Sequence, residues 1–285
     1  MIGAVKCPLP SPSEQTQIAV FLDHKTKQID DLITKKEKLI ELLKEERTAI
    51  INQAVTKGLD PNMPMNDSGI EWLGEIPEHW GVKKLKYLTS KIGSGVTPRG
   101  GSRVYKKEGV PFLRSQNIHF NKIETNELAY ITDEIHHKMN GSKVMPFDVL
   151  LNVTGASIGR CMYYSGELGE ANVNQHVCIL RSNGKIHYKY LNIFLTSGFG
   201  QLEISNAITG SGREGLNFEN IAKFLIPLPP TQEQENIIGF IERKLNMFEL
   251  ISTRVLKEIV LLKEYKTSLI NEAVTGKIDV REYVL

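Results

Sequence analysis

The sequence has few of the features that mark whole classes of protein. Apolar runs fall short of the roughly 20 residues that span a bilayer, and residues 1–10 lack the apolar core of a signal peptide. The cysteines, Cys7, Cys161 and Cys178, show no CxxC spacing. That usage argues against a disulfide framework or a zinc site, and it predicts reduced thiols in a cytoplasmic protein without a membrane partner. The formal net charge is only +2, so contact with a polyanion would depend on local charge.

Motifs for nucleotide binding or catalysis are also missing. Gly155-Ala156-Ser157-Ile158-Gly159-Arg160 has three residues between its glycines and an arginine where a phosphate loop has lysine. The histidines are scattered, and no dinucleotide-binding glycine fingerprint or Asn-Pro-Pro-aromatic tetrad occurs. We therefore expect a chain with no catalytic residue, no metal site and no cofactor of its own.

What the sequence does contain is an internal repeat. Its two copies align without a gap at an offset of 219 residues. A duplicated segment usually builds pseudo-symmetric structure, so the chain is organised as repeat, insert, repeat. The shared motifs are Pro8-Leu9-Pro10 and Pro227-Leu228-Pro229, Glu14-Gln15 and Glu233-Gln234, and the tails Asn52-Gln53-Ala54-Val55-Thr56 and Asn271-Glu272-Ala273-Val274-Thr275.

Each repeat predicts one long helix. Ser11-Pro12-Ser13-Glu14 forms a capping box with proline at the first helical position, and Gly58 and Gly276 suit left-handed C-terminal caps. Apolar residues recur at steps of three and four, which is typical of a heptad seam. Two such helices that enter and leave one insert should pack antiparallel. The predicted seam is Ile18, Leu22, Ile29, Leu32, Leu39, Leu43 and Ile50, with Ile237, Ile241, Phe248, Ile251, Val255, Leu262 and Leu269.

The insert predicts a mixed α and β domain. Short apolar runs between turn residues indicate strands at residues 110–113, 149–153 and 176–180. Helical patterns cover residues 188–202 and 217–224.

Charge in the insert is uneven. Residues 83–114 contain nine basic residues and one acidic residue, and they include a Gly/Ser-rich loop at 93–103. Such a loop can bring backbone N–H groups and guanidinium groups to phosphates. Polar clusters follow at residues 114–117, 172–176 and 210–214, and Arg, Asn and Gln are the side chains that make bidentate contacts with base edges. Each cluster alone is more typical of a turn, but together they favour a DNA-reading domain.

The chain resembles the DNA-specificity subunit of type I restriction-modification systems, and the resemblance covers essentially its whole length. The residues that carry it are the repeated Pro-Leu-Pro and Glu-Gln motifs, the Asn-x-Ala-Val-Thr tails, residues 68–80 (SGIEWLGEIPEHW), Gly155-Ala156-Ser157-Ile158-Gly159, Asn174-Gln175 and the loop at 210–216.

The resemblance implies an α+β fold. One target-recognition domain, residues 59–226, would lie between two long helices of the type conserved in that family, residues 11–58 and 227–285, packed as an antiparallel coiled coil. The chain would be a non-catalytic subunit that selects double-stranded DNA and docks the modification (methyltransferase) subunits. S-adenosylmethionine and ATP would belong to the modification and restriction subunits.

The resemblance also exposes a departure. Family members have two recognition domains, whereas this chain has one, and residues 1–10 look like the stump of a missing first domain. We therefore expect a lone chain to read one half-site. A full site would require self-association or pairing with another half-subunit.

Carried onto residues, the resemblance predicts phosphate contact by the loop from Ser94 to Arg103. The sequence does not separate phosphate from base contacts, and two other functions stay open: a coiled-coil interaction scaffold without DNA specificity, and a standalone methyltransferase or nuclease, against which the missing motifs argue. The candidate DNA-binding residues are Ser94, Thr97, Arg99, Arg103, Arg114, Gln116, Asn117, Asn174, Gln175, Ser211 and Arg213.

Overall fold

The computed structural model describes residues 9–208, 215–281 and 283. Two compact units are present, one formed by residues up to 47 with those from 244 onward, the other by residues 48–243. The helices are α1 (Pro12–Lys57), α2 (Asp133–Lys138), α3 (Tyr188–Thr196), α4 (Gly198–Ala207), α5 (Phe218–Ala222) and α6 (Thr231–Val274). The strands are β1 (Met65–Asp67), β2 (Glu75–Pro77), β3 (Gly81–Lys84), β4 (Thr89–Ser94), β5 (Val110–Leu113), β6 (Ala129–Ile131), β7 (Lys143–Val144), β8 (Val149–Asn152), β9 (Cys161–Tyr163), β10 (Ala171–Val173), β11 (Val177–Ser182) and β12 (Leu225–Leu228).

The predicted caps of the long helices are confirmed. Helix α1 begins at Pro12. The Ser11 hydroxyl accepts from the Glu14 N–H at 3.4 Å, and the Glu14 carboxylate accepts from the Ser11 N–H at 3.1 Å, which satisfies two donors at the helix start. Gly58 and Gly276 have φ angles of 72° and 71°, a left-handed conformation that glycine adopts without steric cost.

The first unit is an antiparallel helix pair. Lys36 Nζ lies 2.5 Å from a Glu258 oxygen, and Lys266 Nζ lies 2.7 Å from an Asp30 oxygen. The number of one partner rises as that of the other falls, so α1 and α6 run in opposite directions. Because such exposed ion pairs contribute little, the pairing depends on the apolar seam.

The seam differs in one respect from the heptad prediction. Leu32 and Leu39 are 42% and 40% exposed, while Ile33 and Ile40 take their places in the apolar cluster. Members of the apolar cluster recur on α1 every 11 residues, at the buried Ile29 and the partly buried Ile18 and Ile40. An 11-residue period matches the natural turn of an α-helix more closely than a heptad does, so a nearly straight helix drifts off the heptad positions.

The second unit is built on two four-stranded sheets. Their strand orders are β6-β5-β10-β7 and β4-β11-β8-β9, with the two-stranded pairs β1-β2 and β12-β3 beside them. Strands β5 and β10 are parallel, and the other paired strands are antiparallel. One apolar core joins residues of both four-stranded sheets, including Leu113 of β5, Leu150 of β8 and Ile179 of β11. The predicted strands at 110–113, 149–153 and 176–180 are thus confirmed as β5, β8 and β11.

The predicted helix over residues 188–202 is wrong as a single element, because it breaks at Ser197. The Ser197 hydroxyl donates to the Phe194 carbonyl at 2.6 Å and accepts from the Gly200 N–H at 3.1 Å, so it ends α3 and caps α4. A Cβ on Gly200 would lie 2.1 Å from the Phe194 carbonyl oxygen, so the tight corner depends on this glycine. Helix α2 was not predicted, since it is less than two turns long.

Within the described residues, no helix combines the length and the apolar character needed to cross a membrane.

Candidate nucleic-acid interface

Four polar segments that are far apart in sequence meet at one edge of the second unit. The parallel strands β5 and β10 end side by side, and the Asn174 N–H donates to the Leu113 carbonyl at 3.1 Å. The Asn152 side-chain amide, at the end of β8, donates to the Ser115 carbonyl at 2.8 Å. We call this region the polar edge; it consists of residues 94–97, 114–117, 152–154 and 174–176.

The Gly/Ser-rich loop joins the polar edge through a close backbone approach. The Gly95 N–H donates to the Asn174 carbonyl at 3.1 Å. A Cβ on Gly95 would lie 1.7 Å from the Val173 carbonyl oxygen, so only glycine fits. Beyond it, the Thr97 hydroxyl donates to the side-chain carbonyl of Gln175. The structure therefore brings the Gly/Ser-rich loop and the polar cluster at 114–117 next to the polar cluster at 172–176.

Two of the predicted contact residues, Asn117 and Asn174, are buried and engaged within the chain. Asn117 is 1% exposed; its carbonyl accepts from the Arg114 N–H, and its amide donates to the Glu124 carbonyl, both at 3.0 Å. Asn174 is 7% exposed and accepts from the His176 N–H at 3.1 Å. Both amides hold the turns on which exposed neighbours lie.

The other predicted residues lie at or near the surface. The Arg114 guanidinium donates to the Glu127 carbonyl at 3.0 Å and stands 5.7 Å from the centre of the Tyr105 ring, which fixes its direction. Ser94 is half-buried, and its hydroxyl donates to the Gly95 carbonyl at 3.2 Å. The exposed members are Thr97, Arg99, Arg103, Gln116 and Gln175.

The last predicted pair, Ser211 and Arg213, lies outside the described residues. Gly215, the first residue described after them, pairs with Thr154, and the Leu216 N–H donates to the Val153 carbonyl at 2.9 Å. The chain thus re-enters the described structure at the polar edge.

The candidate DNA-binding residues did not include Thr154 and His176 of the polar edge, although His176 lies in the predicted polar cluster at 172–176. The His176 ring nitrogens lie 2.5 Å from the Thr154 hydroxyl and 3.0 Å from the Gln175 amide nitrogen. Thr154 directly precedes the loop from Gly155 to Arg160, which does not match a phosphate site. His176 is one of the histidines that lie scattered along the sequence. The only sequence signal is that His176 directly follows Asn174-Gln175 at the start of a strand.

One member of the basic cluster is engaged within the chain. Lys91 Nζ donates to the Gly141 carbonyl at 2.6 Å, and partial burial, the largest cause, lowers the pKa of this amine. Among residues 9–208, 215–281 and 283, no three His, Cys, Asp or Glu side chains are grouped so as to hold a metal ion.

Comparison with known proteins places the chain in a family. The family model for the type I restriction modification DNA specificity domain matches residues 77–260. The chain is 26% identical to the type I restriction enzyme EcoBI specificity subunit of Escherichia coli, over 95% of this chain and 58% of that protein. It is 28% identical to the MjaVIII specificity subunit of Methanocaldococcus jannaschii, over 97% of this chain and 63% of that protein.

Solved structures agree on the fold. A chain from a study of complex assembly and conformational transition in a type I restriction-modification system superposes with a TM-score of 0.71 at 16% identity, covering 95% of this chain and 62% of that one. The HsdS subunit from Thermoanaerobacter tengcongensis gives 0.56 at 17% identity, covering 95% and 60%. The chain spans about three fifths of these relatives. Because the family match covers more than half of its residues, the chain belongs to the type I restriction-modification DNA specificity family.

Proposed function

We propose that the chain binds a specific double-stranded DNA sequence through the polar edge. The observation that carries this proposal is the convergence of residues 94–97, 114–117 and 174–176 at the ends of β4, β5 and β10. These segments bring hydroxyl, guanidinium and amide groups together on one surface. Such groups contact phosphates and base edges, and membership of the specificity family supports the same function.

Side-chain chemistry and exposure together suggest a role for each candidate residue. Arg99 and Arg103 lie on the exposed basic loop, which suits contact with phosphates. Gln116 and Gln175 are exposed amides that suit base edges, and Arg114 can serve either role. Ser94 and Thr97 complete the described part of the proposed surface, while Asn117 and Asn174 support its turns from beneath. Ser211 and Arg213 are proposed as DNA-binding residues from the sequence alone.

The helix pair is proposed as the docking site for modification subunits. Helix α1 has exposed Leu32 and Leu39, and α6 has exposed Leu250, Leu261 and Tyr265. Leu261 follows Leu250 by 11 residues and Tyr265 follows Leu261 by 4. These spacings place all three side chains on one face of α6. Exposed apolar stripes of this kind mark protein interfaces. The docked modification subunits would bring S-adenosylmethionine, and restriction subunits would bring ATP.

With one recognition domain in this chain, we propose that it reads one half-site. A two-part site then requires a second recognition domain. A palindromic recognition sequence would identify pairing of two copies.

The proposal is tested by DNA binding and methylation together. The chain is co-purified with its modification subunit, and DNA methylated by the complex is sequenced; methylation at one defined motif is the expected result. Replacing Arg99 or Arg103 with alanine should weaken binding to all sequences alike and reduce the salt slope by about one each. Lys263→Ala, which removes an exposed cation of the helix pair, should leave the slope unchanged. Binding without sequence preference or salt dependence would instead indicate the interaction scaffold.

A further inference from the structure

We propose that Gln175 recognises an adenine in the major groove, and that His176 determines which way round its amide faces. This inference rests on the proposed DNA-binding function and goes beyond it, since it assigns a base to one residue. It makes His176 a positioning residue for specificity.

A continuous chain of hydrogen bonds crosses the polar edge. The Thr97 hydroxyl donates to the Gln175 side-chain carbonyl. The Gln175 amide nitrogen lies 3.0 Å from His176 Nε2. An amide NH₂ only donates, so Nε2 is the accepting ring nitrogen. The ring proton is therefore on Nδ1, which lies 2.5 Å from the Thr154 hydroxyl oxygen and donates to it.

These hydrogen bonds leave the Gln175 amide with one unused acceptor and one unused donor. Its carbonyl oxygen has a second lone pair, and its nitrogen has a second N–H. The residue is exposed, so this pair is available to a ligand. Adenine presents an N7 acceptor and an N6 donor side by side in the major groove, the complement of a Gln amide. Guanine presents two acceptors there, one of which would face the Gln175 carbonyl.

The His176 ring is held by its backbone. Its N–H donates to the Asn174 side chain at 3.1 Å, and its carbonyl accepts from the Val153 N–H at 3.0 Å. While the ring donates its Nδ1–H to Thr154, its Nε2 accepts the amide in one orientation only. Without the ring, the Gln175 amide can turn over, which exchanges donor and acceptor. Removal of His176 should therefore cost discrimination at one base pair while the other contacts stay.

The experiment begins with selection of binding sites from randomised DNA by the complex of this chain with its modification subunit. The selected site is then rebuilt with 7-deazaadenine or purine at each adenine, which removes the N7 acceptor or the N6 amino donor. At one adenine, each analogue should weaken binding of the unaltered chain on the order of tenfold. Gln175→Ala and His176→Ala should both lose that penalty at the same position only.

Two further variants sharpen the test. Thr154→Val keeps the His176 ring and removes its anchor, so it should reduce the same penalty in part. His137→Ala removes an exposed histidine of α2 that is outside the hydrogen-bond chain, and it should keep the full penalty.

The outcomes distinguish a failure of the proposed roles of Gln175 and His176 from a failure of the proposed DNA-binding function. No selected motif for the unaltered complex would refute the proposed DNA-binding function itself. A clear motif with equal analogue penalties in all four variants and the unaltered chain would overturn the assignment of Gln175 and His176. So would a folded His176→Ala variant that loses affinity equally for every sequence, because that result means a purely structural role.

Discussion

Breaking the ion pair between Asp148 and Arg181 at one partner should strongly destabilise the second unit. The Asp148 side chain is 1% exposed and that of Arg181 is 24% exposed. The carboxylate accepts from the arginine Nε at 2.7 Å, from its Nη2 at 2.8 Å and from the Met145 N–H at 2.7 Å. The hydrogen bonds that the guanidinium donates to Asp148 are also the main cause that raises its pKa.

Arg181→Met keeps an unbranched apolar side chain and leaves a buried carboxylate with a single donor. Loss of one partner of a buried pair costs about 3–5 kcal/mol, and the partial exposure of Arg181 places the expected loss near the lower end. Replacing both residues, as Asp148→Leu with Arg181→Met, removes the stranded charge. The double variant should recover much of the loss, and the orphaned Met145 N–H should still cost about 1–3 kcal/mol.

The assay is urea unfolding followed by tryptophan fluorescence. The only tryptophans of the chain, Trp72 and Trp80, lie within residues 48–243, so the signal reports on that unit. Unfolding midpoints at a constant slope give the change in the free energy of unfolding. A loss below about 1 kcal/mol for Arg181→Met would refute the reasoning. A double variant as unstable as the sum of both single variants would also refute it.

Three further predictions address other parts of the chain. Ile33→Ala should destabilise the helix pair by about 2–4 kcal/mol, whereas Leu32→Ala, at the exposed neighbour, should change it by less than about 1 kcal/mol in a circular-dichroism melt. Burial raises the pKa of Cys161 and Cys178 to about 12, so at pH 8 both thiols stay protonated and should be alkylated only after unfolding, as mass spectrometry of their peptides would show. Gly95→Ala forces a Cβ into a backbone carbonyl and should lower the urea midpoint and abolish sequence preference together; an unchanged midpoint would contradict the close approach.

Local chemistry explains why much of the fold can be predicted from sequence. The capping box at Ser11 and the left-handed glycines at 58 and 276 depend on a few adjacent residues, so the ends of the long helices follow from the sequence. Strands β5, β8 and β11 are short apolar runs between turns and are equally local. The exact seam of the helix pair is not local. Whether Leu32 or Ile33 is buried depends on how far the helix drifts relative to its partner.

The candidate site also has features that follow from the local sequence and features that depend on tertiary structure. The sequence by itself determined which residue types are available, namely a basic glycine-rich loop and three clusters of Arg, Asn and Gln. Only the tertiary structure decided that the loop, the Arg114 turn and the Asn174 turn share one edge, because this requires β5 and β10 to be parallel neighbours. It also decided that Asn117 and Asn174 are buried supports and that Thr154 and His176 join Gln175. Hydrogen bonds between distant segments form only after the strands have paired, and no local pattern in the chain encodes them.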